Sequence, residues 1–340
     1  MTVRVGINGF GRIGRNFLRA ALAQGADVEV VAVNDLTDAA TNAQLLRFDT
    51  THGRLSEPVI VDKDAIVVGG RSISVLAEPE PKAIDWGGFG AQVVVESTGR
   101  FTSRAAAAAH LEGGARRVIV TAPSSDADAT FVIGVNDGDF DAARHVVVSN
   151  ASCTTNCFVP MVKVVDDAFG IIGGLMTTVH AYTNDQNLLD LTHKDLRRAR
   201  AAAQNIVPAS TGAARASSLV VQSMKGKLDG SALRVPVADG SITDFTALVP
   251  EIVSAAQVNE AFAAAALEGP LSAVLDYSED PLVSSDIVGN PASCIFDAGL
   301  TLVVPLSGQG SLLKVFGWYD NEWGYANRVV DLAGIVGAAS

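Results

Sequence analysis

The chain has 340 residues, more than twice the ~150 residues of an ordinary single domain, so two domains are expected. The composition of 48% hydrophobic and 18% charged residues excludes disordered and fibrous classes, and no stretch supplies the ~18 consecutive apolar residues that a membrane span needs. The formal net charge of −12 opposes general binding to nucleic acid or anionic membranes. An anionic ligand therefore needs a local site.

The first half of the chain alternates short β-branched segments with helical stretches, which predicts βαβ units around a parallel sheet. Helices are expected over residues 15–22 and 105–111, the second capped by Ser103. Gly69-Gly70 predicts a two-residue turn between two antiparallel strands that interrupt the parallel pattern. The predicted parallel strands are residues 3–7, 28–33, 93–96, 118–121 and 146–149.

The pattern changes after Asn150, where one helix starting near Cys153 is followed by strands with few helices between them. The polar segment 182–208 has no clean period and is expected to be a long ordered loop with a functional or interface role. A last helix is expected over residues 321–336. The predicted strands of this half are residues 174–179, 232–237, 242–249, 293–296, 300–304 and 312–318.

A glycine motif follows the first strand, with Gly9, Gly11 and Gly14 in the pattern G-x-G-x-x-G at the mouth of a helix. Such glycines let the backbone approach a pyrophosphate, which the helix N-terminus stabilises. Asp35 follows the second strand, where an acid can bond a ribose 2′-hydroxyl, and with Asp38 it should repel the 2′-phosphate of NADP. The alternative for the glycine motif is a tight strand-to-helix turn that binds nothing. The alternative for Asp35 is a solvated acid in a loop. The context favours NAD.

The chain has three cysteines, too few for a disulfide scaffold, and its first residues lack the apolar run of a signal peptide, so we expect a cytoplasmic protein. Cys153 falls at a predicted helix N-terminus, where the dipole favours the reactive thiolate. Ser152, Thr154 and Thr155 add hydroxyl groups that can hold an oxyanion or phosphate. The alternative is that Cys153 is a small buried residue. Cys157, one turn further, is expected to be buried and inert, and a C-x3-C pair alone does not predict a metal site.

A candidate partner for the cysteine is His180, which ends the predicted strand 174–179. A histidine at a strand end can pair with a thiolate and act as a general base. A lone histidine is more often structural. The remaining histidines, His52, His110, His145 and His193, are assigned that structural role.

Five segments together resemble the family of phosphorylating glyceraldehyde-3-phosphate dehydrogenases. They occur in order over nearly the full chain, and the segment around Cys153 is the most specific. The resemblance implies an α/β fold with an N-terminal Rossmann domain and a C-terminal α+β catalytic domain, usually in a homotetramer. The segments are residues 7–15, 151–157, 180–186, 193–201 and 318–325.

The resemblance also implies domain bounds: 1–152 for NAD binding, 153–318 for catalysis, and a C-terminal helix over 319–340 that packs back on the NAD domain. It makes Cys153 the nucleophile and His180 its activator and base. The implied NAD contacts are Gly9, Gly11, Arg12, Ile13, Gly14, Asp35, Thr98, Gly99, Thr121, Asn321 and Tyr325. The implied substrate and phosphate contacts are Ser152, Thr154, Thr183, Arg198, Thr211, Gly212 and Arg234.

The chemistry that the resemblance implies starts with attack of Cys153 on the aldehyde of glyceraldehyde 3-phosphate. His180 removes a proton while hydride passes to NAD, and inorganic phosphate then cleaves the thioester to give 1,3-bisphosphoglycerate. Phosphate traps an aldehyde poorly but attacks a thioester well, so covalent catalysis is needed. Arg198 and Arg234 also have an alternative interpretation, in which each is a surface charge or part of an intersubunit ion pair.

Three positions depart from the family pattern. Thr192 stands where NAD-specific members commonly have proline, and Pro79 lacks the basic neighbour often found near the adenosine. Asp239 places a negative charge a few residues from Arg234. Erythrose-4-phosphate dehydrogenase is the nearest alternative, but the run 181–184 and Thr211-Gly212 favour the phosphorylating enzyme. A catalytically inactive member of the family that binds RNA or acts as a scaffold is a further alternative. The net charge of −12 and the presence of both Cys153 and His180 disfavour it.

Overall fold

The fold is taken from a computed structural model that describes residues 2–339. These residues form two compact units. Unit 1 contains residues 2–131, 136–151 and 326–339, and unit 2 contains Val132–Val135 and Ser152–Tyr325. Over residues 2–339, no helix combines the length and apolar character needed to cross a membrane.

Unit 1 is built around a nine-stranded sheet of order β10-β11-β9-β8-β1-β2-β7-β6-β5. Its long parallel run confirms the α/β prediction. Its elements are β1 (Val3–Asn8), α1 (Arg12–Gln24), β2 (Val28–Asn34), α2 (Ala39–Arg47), β3 (Phe48–Asp49), β4 (Gly53–Arg54), β5 (Val59–Asp62), β6 (Ala65–Val68), β7 (Arg71–Leu76), β8 (Val93–Glu96), α3 (Arg104–Ala107), α4 (Ala109–Glu112), β9 (Arg117–Val120), β10 (Ala129–Thr130) and β11 (Val147–Ser149).

The predicted hairpin is present between β6 and β7. Val68 pairs with Arg71, and Gly69 and Gly70 adopt φ values of +56° and +80°, which suit a two-residue turn between antiparallel strands. The sequence pattern missed that β7 then runs parallel to β2, so the chain returns to the main sheet.

The prediction of one helix over residues 105–111 was wrong, because α3 and α4 are separate four-residue helices. Ser103 does cap the first of them, accepting a hydrogen bond from the N–H of Ala106. The N–H of Leu111 bonds the carbonyl of Ala108, three residues back, at 3.0 Å. Such short-range bonds tighten the backbone and prevent a regular α-helix.

Unit 2 is built around an eight-stranded mixed sheet of order β13-β14-β12-β15-β19-β17-β16, with β18 paired to β19. Its elements are α5 (Cys153–Phe169), β12 (Gly173–Ala181), β13 (Val207–Ser210), α6 (Ala213–Val220), β14 (Leu228–Val235), β15 (Ser241–Val249), α7 (Ala255–Leu267), β16 (Leu275–Ser278), α8 (Ser284–Ile287), β17 (Cys294–Asp297), β18 (Leu302–Leu306), β19 (Gly310–Tyr319) and the start of α9 (Trp323–Ala338).

The core of unit 2 lies between α5 and the sheet. The inner side of α5 is fully buried through Cys157, Phe158, Met161 and Val165, and Phe158 meets Phe245 of β15 edge to face with ring centroids 5.0 Å apart. This packing holds the N-terminus of α5, and with it Cys153, against the sheet.

Several boundaries differ from the sequence prediction. β14 begins at Leu228 rather than 232, and α9 begins at Trp323 rather than 321. The helices α2, α6 and α7 were missed, although Ser254 and Gln257 form a capping box at the start of α7 that was readable in the sequence.

Candidate active site

A cavity of about 370 Å³ opens in unit 1 at the carboxyl ends of β1, β2 and β8. The carboxyl ends of neighbouring parallel strands meet at one edge of a sheet, where open α/β folds bind their ligands. The predicted residues Gly9, Gly11, Asp35 and Thr98 all lie in its wall. The other lining residues are Asn8, Asn34, Leu36, Glu78, Pro79, Ser97, Arg100 and Phe101.

The three glycines have different roles in this wall. A Cβ on Gly9 would lie 2.7 Å from the N of Thr98, and a Cβ on Gly14 would lie 2.2 Å from the carbonyl oxygen of Gly9. These two glycines therefore allow the loop to pack closely against β8 and α1. A Cβ on Gly11 would meet no described atom within 4 Å, so this glycine leaves free space at the N-terminus of α1. That space fits a pyrophosphate.

Asp35 and Arg12 flank this loop. The carboxylate of Asp35 accepts a hydrogen bond of 2.9 Å from the N–H of Phe10. Arg12 forms an ion pair with Asp49. Burial raises the pKa of Asp49, but hydrogen bonds from Arg12 and from the N–H groups of His52 and Thr51 outweigh it and lower that pKa to about 2.

A buried hydrogen-bond network behind the cavity was missed by the sequence analysis. Glu96 Oε2 accepts from Asn8 Nδ2 at 2.6 Å and from His110 Nε2 at 2.9 Å, and Glu96 Oε1 accepts from the N–H and hydroxyl of Thr98. The indole N–H of Trp86 donates to His110 Nδ1 at 3.0 Å. An indole only donates, so the proton of His110 is on Nε2 and the imidazole is neutral. Glu96 thus fixes two residues of the cavity wall, Asn8 and Thr98.

Glu96→Gln tests this network. The new amide group has to oppose one of the donors that Glu96 accepts from, so we expect the KM for NAD to rise about tenfold with a smaller change in kcat, and the free energy of unfolding to fall by about 1–3 kcal/mol. Steady-state kinetics and urea denaturation measure both effects. Glu29→Gln, at the partly exposed position of β2, is the matched control. Unchanged KM for NAD in Glu96→Gln would contradict the assigned role.

The catalytic candidates meet in unit 2, where Cys153 is the first residue of α5 and Ser152 is its N-cap, accepting from the N–H of Thr155 at 3.1 Å. His180 lies near the end of β12, with its Nε2 3.4 Å from Cys153 Sγ. His180 Nδ1 lies 2.7 Å from the carbonyl oxygen of Ala181 and donates to it, because a carbonyl only accepts. Nε2 is therefore left as an acceptor facing the thiol.

Burial acts against the charged forms of both members of this pair. Burial raises the pKa of Cys153 to about 11, although the charge of Arg234 and the N–H of Thr154 oppose the rise. Burial, with the charge of Arg234, lowers the pKa of His180 to about 4. Desolvation therefore opposes the thiolate that the helix N-terminus is expected to favour. Both shifts favour the neutral pair, in which the thiol faces Nε2 of His180 and can pass its proton to it as Cys153 attacks.

The polar side chains around His180 include three of the predicted anion-binding residues. Arg234 pairs with His180 across the parallel strands β12 and β14, and its Nη1 donates to Thr183 Oγ1 at 2.8 Å and to the carbonyl oxygen of Ala181 at 3.1 Å. Thr183 donates to Asp185, which also pairs with Arg198. Among described residues, the buried Nε of Arg234 has no hydrogen-bond partner. An unpaired cationic donor is suited to an anion.

The other predicted residues of unit 2 are held by internal hydrogen bonds. Thr154 is buried, with its hydroxyl 2.9 Å from that of Tyr319. Thr211 accepts from the N–H of Ala213 at 3.1 Å, and Gly212 is the N-cap of α6. Asn321 Oδ1 accepts from the hydroxyl of Ser241 at 2.6 Å. Tyr325 is buried in the same unit.

Asp239, the unusual acid near Arg234, is buried against a second acid. It is hydrogen-bonded to Asp320, and burial together with the charge of Asp320 raises the pKa of Asp239 to about 9. Asp320 accepts from the N–H groups of Gly289, Glu322 and Trp323. Burial beside a second acid therefore works against a negative charge on Asp239, which reduces the unfavourable effect of this acid on Cys153.

A parallel sheet with a dinucleotide-type cavity, joined to a unit with a cysteine–histidine pair, is typical of the dehydrogenases that use a cysteine nucleophile. Residues 3–104 match the family model of the glyceraldehyde 3-phosphate dehydrogenase NAD binding domain, and residues 152–321 match that of its C-terminal domain. The chain belongs to the glyceraldehyde-3-phosphate dehydrogenase family. NAD is its cofactor, and the predicted fold class and enzyme class are confirmed.

Curated relatives agree over the full length of the chain. It is 58% identical to the glyceraldehyde-3-phosphate dehydrogenase of Streptomyces coelicolor over 337 residues, with 99% of both chains covered. It is 59% identical to that of Mycobacterium leprae over 343 residues, again with 99% of both covered. Glyceraldehyde-3-phosphate dehydrogenase 1 of Bacillus subtilis is 57% identical, with 99% of this chain and 98% of the relative covered.

Proposed function

We propose that this chain oxidises D-glyceraldehyde 3-phosphate with NAD and inorganic phosphate, giving 1,3-bisphosphoglycerate through a thioester on Cys153. The observation that carries this is the 3.4 Å contact between Cys153 Sγ and the unprotonated Nε2 of His180, next to the cationic Arg234. Nothing in the comparisons favours erythrose-4-phosphate dehydrogenase, and the relatives reported above carry the glyceraldehyde-3-phosphate dehydrogenase name.

The first covalent step uses Cys153 and His180. The thiol proton passes to His180 Nε2 while Cys153 Sγ bonds to the aldehyde carbon, and His180 then gives this proton to the hemithioacetal oxygen. His180, neutral again, then accepts the proton of that hydroxyl as the carbon is oxidised to a thioester. NAD, when bound in unit 1, supplies the hydride acceptor. The bond from His180 Nδ1 to the carbonyl oxygen of Ala181 keeps Nε2 pointed at the reacting atoms throughout.

The second step is attack of inorganic phosphate on the thioester, with Cys153 as leaving group. Two anions have to be held near Cys153, the phosphate of the substrate and the attacking phosphate. Arg234 and Thr183 form the first group of donors. Arg198 adds a positive charge nearby, where it is held by its ion pair with Asp185. Ser152, Thr154, Thr211 and Gly212 supply the remaining donors in this proposal. Arginine is suited to phosphate because its planar fork donates two parallel hydrogen bonds.

Omitting phosphate tests the phosphorylating step. We expect NAD reduction to stop after a burst of about one NADH per active site, because the thioester then leaves only by slow hydrolysis. Stopped-flow absorbance with glyceraldehyde 3-phosphate measures the burst, and chloride of equal ionic strength replaces phosphate in the control. Equal steady rates with and without phosphate would contradict a phosphorylating enzyme.

The choice between NAD and NADP tests the role of Asp35. We expect kcat/KM for NAD to exceed that for NADP at least about tenfold, equivalent to ~1.4 kcal/mol, because the Asp35 carboxylate repels a 2′-phosphate. Asp35→Ala should narrow the ratio, and Asp64→Ala, an exposed acid in the β5–β6 turn, should not. A ratio near one in the unmodified chain would contradict the role proposed for Asp35.

Assembly, domain roles and location complete the proposal. We propose residues 1–152 as the NAD domain, 153–318 as the catalytic domain and 319–340 as a helix that packs back on the first. Four largely exposed leucines, Leu188, Leu189, Leu191 and Leu196, support an interface on the segment after β12 and hence a homotetramer. The net charge of −12 supports the absence of nucleic-acid and anionic membrane partners. The three free cysteines support a reducing, cytoplasmic location.

A further inference from the structure

Three sulfur atoms surround Gly317 in the core of unit 2. A Cβ on Gly317 would lie 2.6 Å from Cys294 Sγ, 2.7 Å from Met161 Sδ and 3.2 Å from Cys157 Sγ. Only a glycine leaves room for this arrangement, because contacts below about 3 Å are not tolerated without a shift of the neighbours. The side chains of Cys157 on α5 and Cys294 on β17 therefore converge on one point of β19.

The sulfur atoms of Cys157 and Cys294 lie 3.2 Å and 2.6 Å from that Cβ position, so they face the same small space beside Gly317. Cys157 Sγ also donates to the carbonyl oxygen of Gly317 at 3.5 Å. Both residues are completely buried. Neither thiol has a role in the dehydrogenase chemistry described above. A dissolved oxidant cannot reach either of them directly.

Cys153 connects this buried pair to solvent. It is partly exposed, and it precedes Cys157 by four residues on α5, so the two side chains lie on the same helix face. Cys153 is the accessible one of the three cysteines and has His180 Nε2 beside it to take its proton, so it is oxidised first, to a sulfenic acid. A sulfenic acid condenses with a neighbouring thiol. The order from surface to core is Cys153, Cys157 and Cys294.

We propose that Cys157 and Cys294 are a disulfide-forming site that removes oxidation from Cys153. A peroxide oxidises the Cys153 thiol to a sulfenic acid and is reduced to water or an alcohol. The sulfenic acid condenses with the Cys157 thiol, releasing water and forming a Cys153–Cys157 disulfide. Cys294 Sγ then attacks Cys157 Sγ, the Cys153–Cys157 bond breaks, and the proton of Cys294 ends on Cys153. The products are a Cys157–Cys294 disulfide and a free Cys153 thiol. The inference rests on Cys153 as the reactive cysteine of the proposed function.

The experiment treats the full-length chain with one equivalent of hydrogen peroxide, without reductant, and follows activity and disulfides in time. Samples are denatured in N-ethylmaleimide, digested without reduction and analysed by mass spectrometry. We expect loss of NAD reduction, then its return without added thiol, with Cys157–Cys294 appearing as Cys153 becomes available to the label. Reduced Cys157 and Cys294 in samples whose Cys153 has been oxidised would overturn the proposal.

Cys294→Ser is the decisive variant, because it removes the last sulfur but keeps the size and polarity of the side chain. Its activity before oxidation should equal that of the unmodified chain. After peroxide, its activity should stay lost, with Cys153 held in the Cys153–Cys157 disulfide or oxidised further to a sulfinic acid. Recovery at the unmodified rate would overturn the proposal. The disulfide map is read independently of NAD reduction, so failure of the proposed function would be seen separately as absence of phosphate-dependent turnover.

Discussion

Cys153→Ser is expected to abolish turnover, with kcat lower by roughly 10⁴-fold or more, because a serine hydroxyl in this site is a far weaker nucleophile and cannot form the thioester. The unmodified thiol already has a pKa of about 11 and depends on His180 to take its proton. A hydroxyl is much harder to deprotonate. Initial rates of NAD reduction, together with the mass of the acylated chain after a pulse of substrate, measure the loss.

Cys157→Ser is the matched control on the same helix. Cys157 is buried, and its Sγ donates to the carbonyl oxygen of Gly317, a bond that a serine hydroxyl can also make. We expect this variant to keep a substantial part of the activity and to be acylated on Cys153. An inactive Cys157→Ser beside an active Cys153→Ser would show that the nucleophile has been wrongly assigned.

His180→Asn is expected to lower kcat by about 10²–10⁴-fold, the usual contribution of a positioned general base. With a pKa of about 4, His180 remains a base throughout the neutral range, so the acid limb of kcat/KM in the unmodified chain should lie well below pH 6.5. The variant should lack that limb. Rate profiles from pH 4 to pH 9 measure both effects. His193→Asn, in the segment after β12, is the control.

The same substitution should change the pH dependence of stability. His180 is neutral in the fold down to a pKa of about 4, whereas an unfolded histidine titrates near 6.5. Between these values the unfolded chain binds more protons, so stability falls as the pH falls through that window. His180→Asn should show a shallower fall in the free energy of unfolding between pH 6.5 and pH 4. An identical fall in both chains would place His180 in a more polar environment than the structure shows.

The elements of unit 1 were predictable because each depends on local pattern. Gly25 ends α1 in the left-handed conformation, with φ of +60°, and Gly69-Gly70 turns the chain between β6 and β7, which are roles set by backbone freedom alone. The break between α3 and α4 was not predictable in this way. It depends on a hydrogen bond that spans three residues instead of four, from the N–H of Leu111 to the carbonyl of Ala108, and not on residues that disfavour a helix.

The reactive pair illustrates a different limit. A cysteine after a buried strand and at a helix start was recognisable from its neighbours, and so was a histidine at the end of a strand. The protonation of the two side chains was not recognisable from the sequence, because it depends on desolvation and on the charge of Arg234. Arg234 is 54 residues from His180 in the chain and comes beside it only through the pairing of β12 with β14. The anion-binding roles proposed for Arg198 and Arg234 come from the resemblance to the family, because the sequence alone also allowed surface charges or intersubunit ion pairs.

Residue order was sufficient to specify the parallel sheet, the glycine loop, the acid after the second strand and the family, since these follow from periodicity and from short motifs. Tertiary structure alone decided that Glu96 holds Asn8, that Asp239 is hydrogen-bonded to Asp320, and that the sulfur atoms of Cys157 and Cys294 converge beside Gly317. The physical reason is common to all three. Burial makes the energy of a polar or sulfur atom depend on its nearest neighbours, and these neighbours are up to 137 residues apart in the chain but close together in the fold.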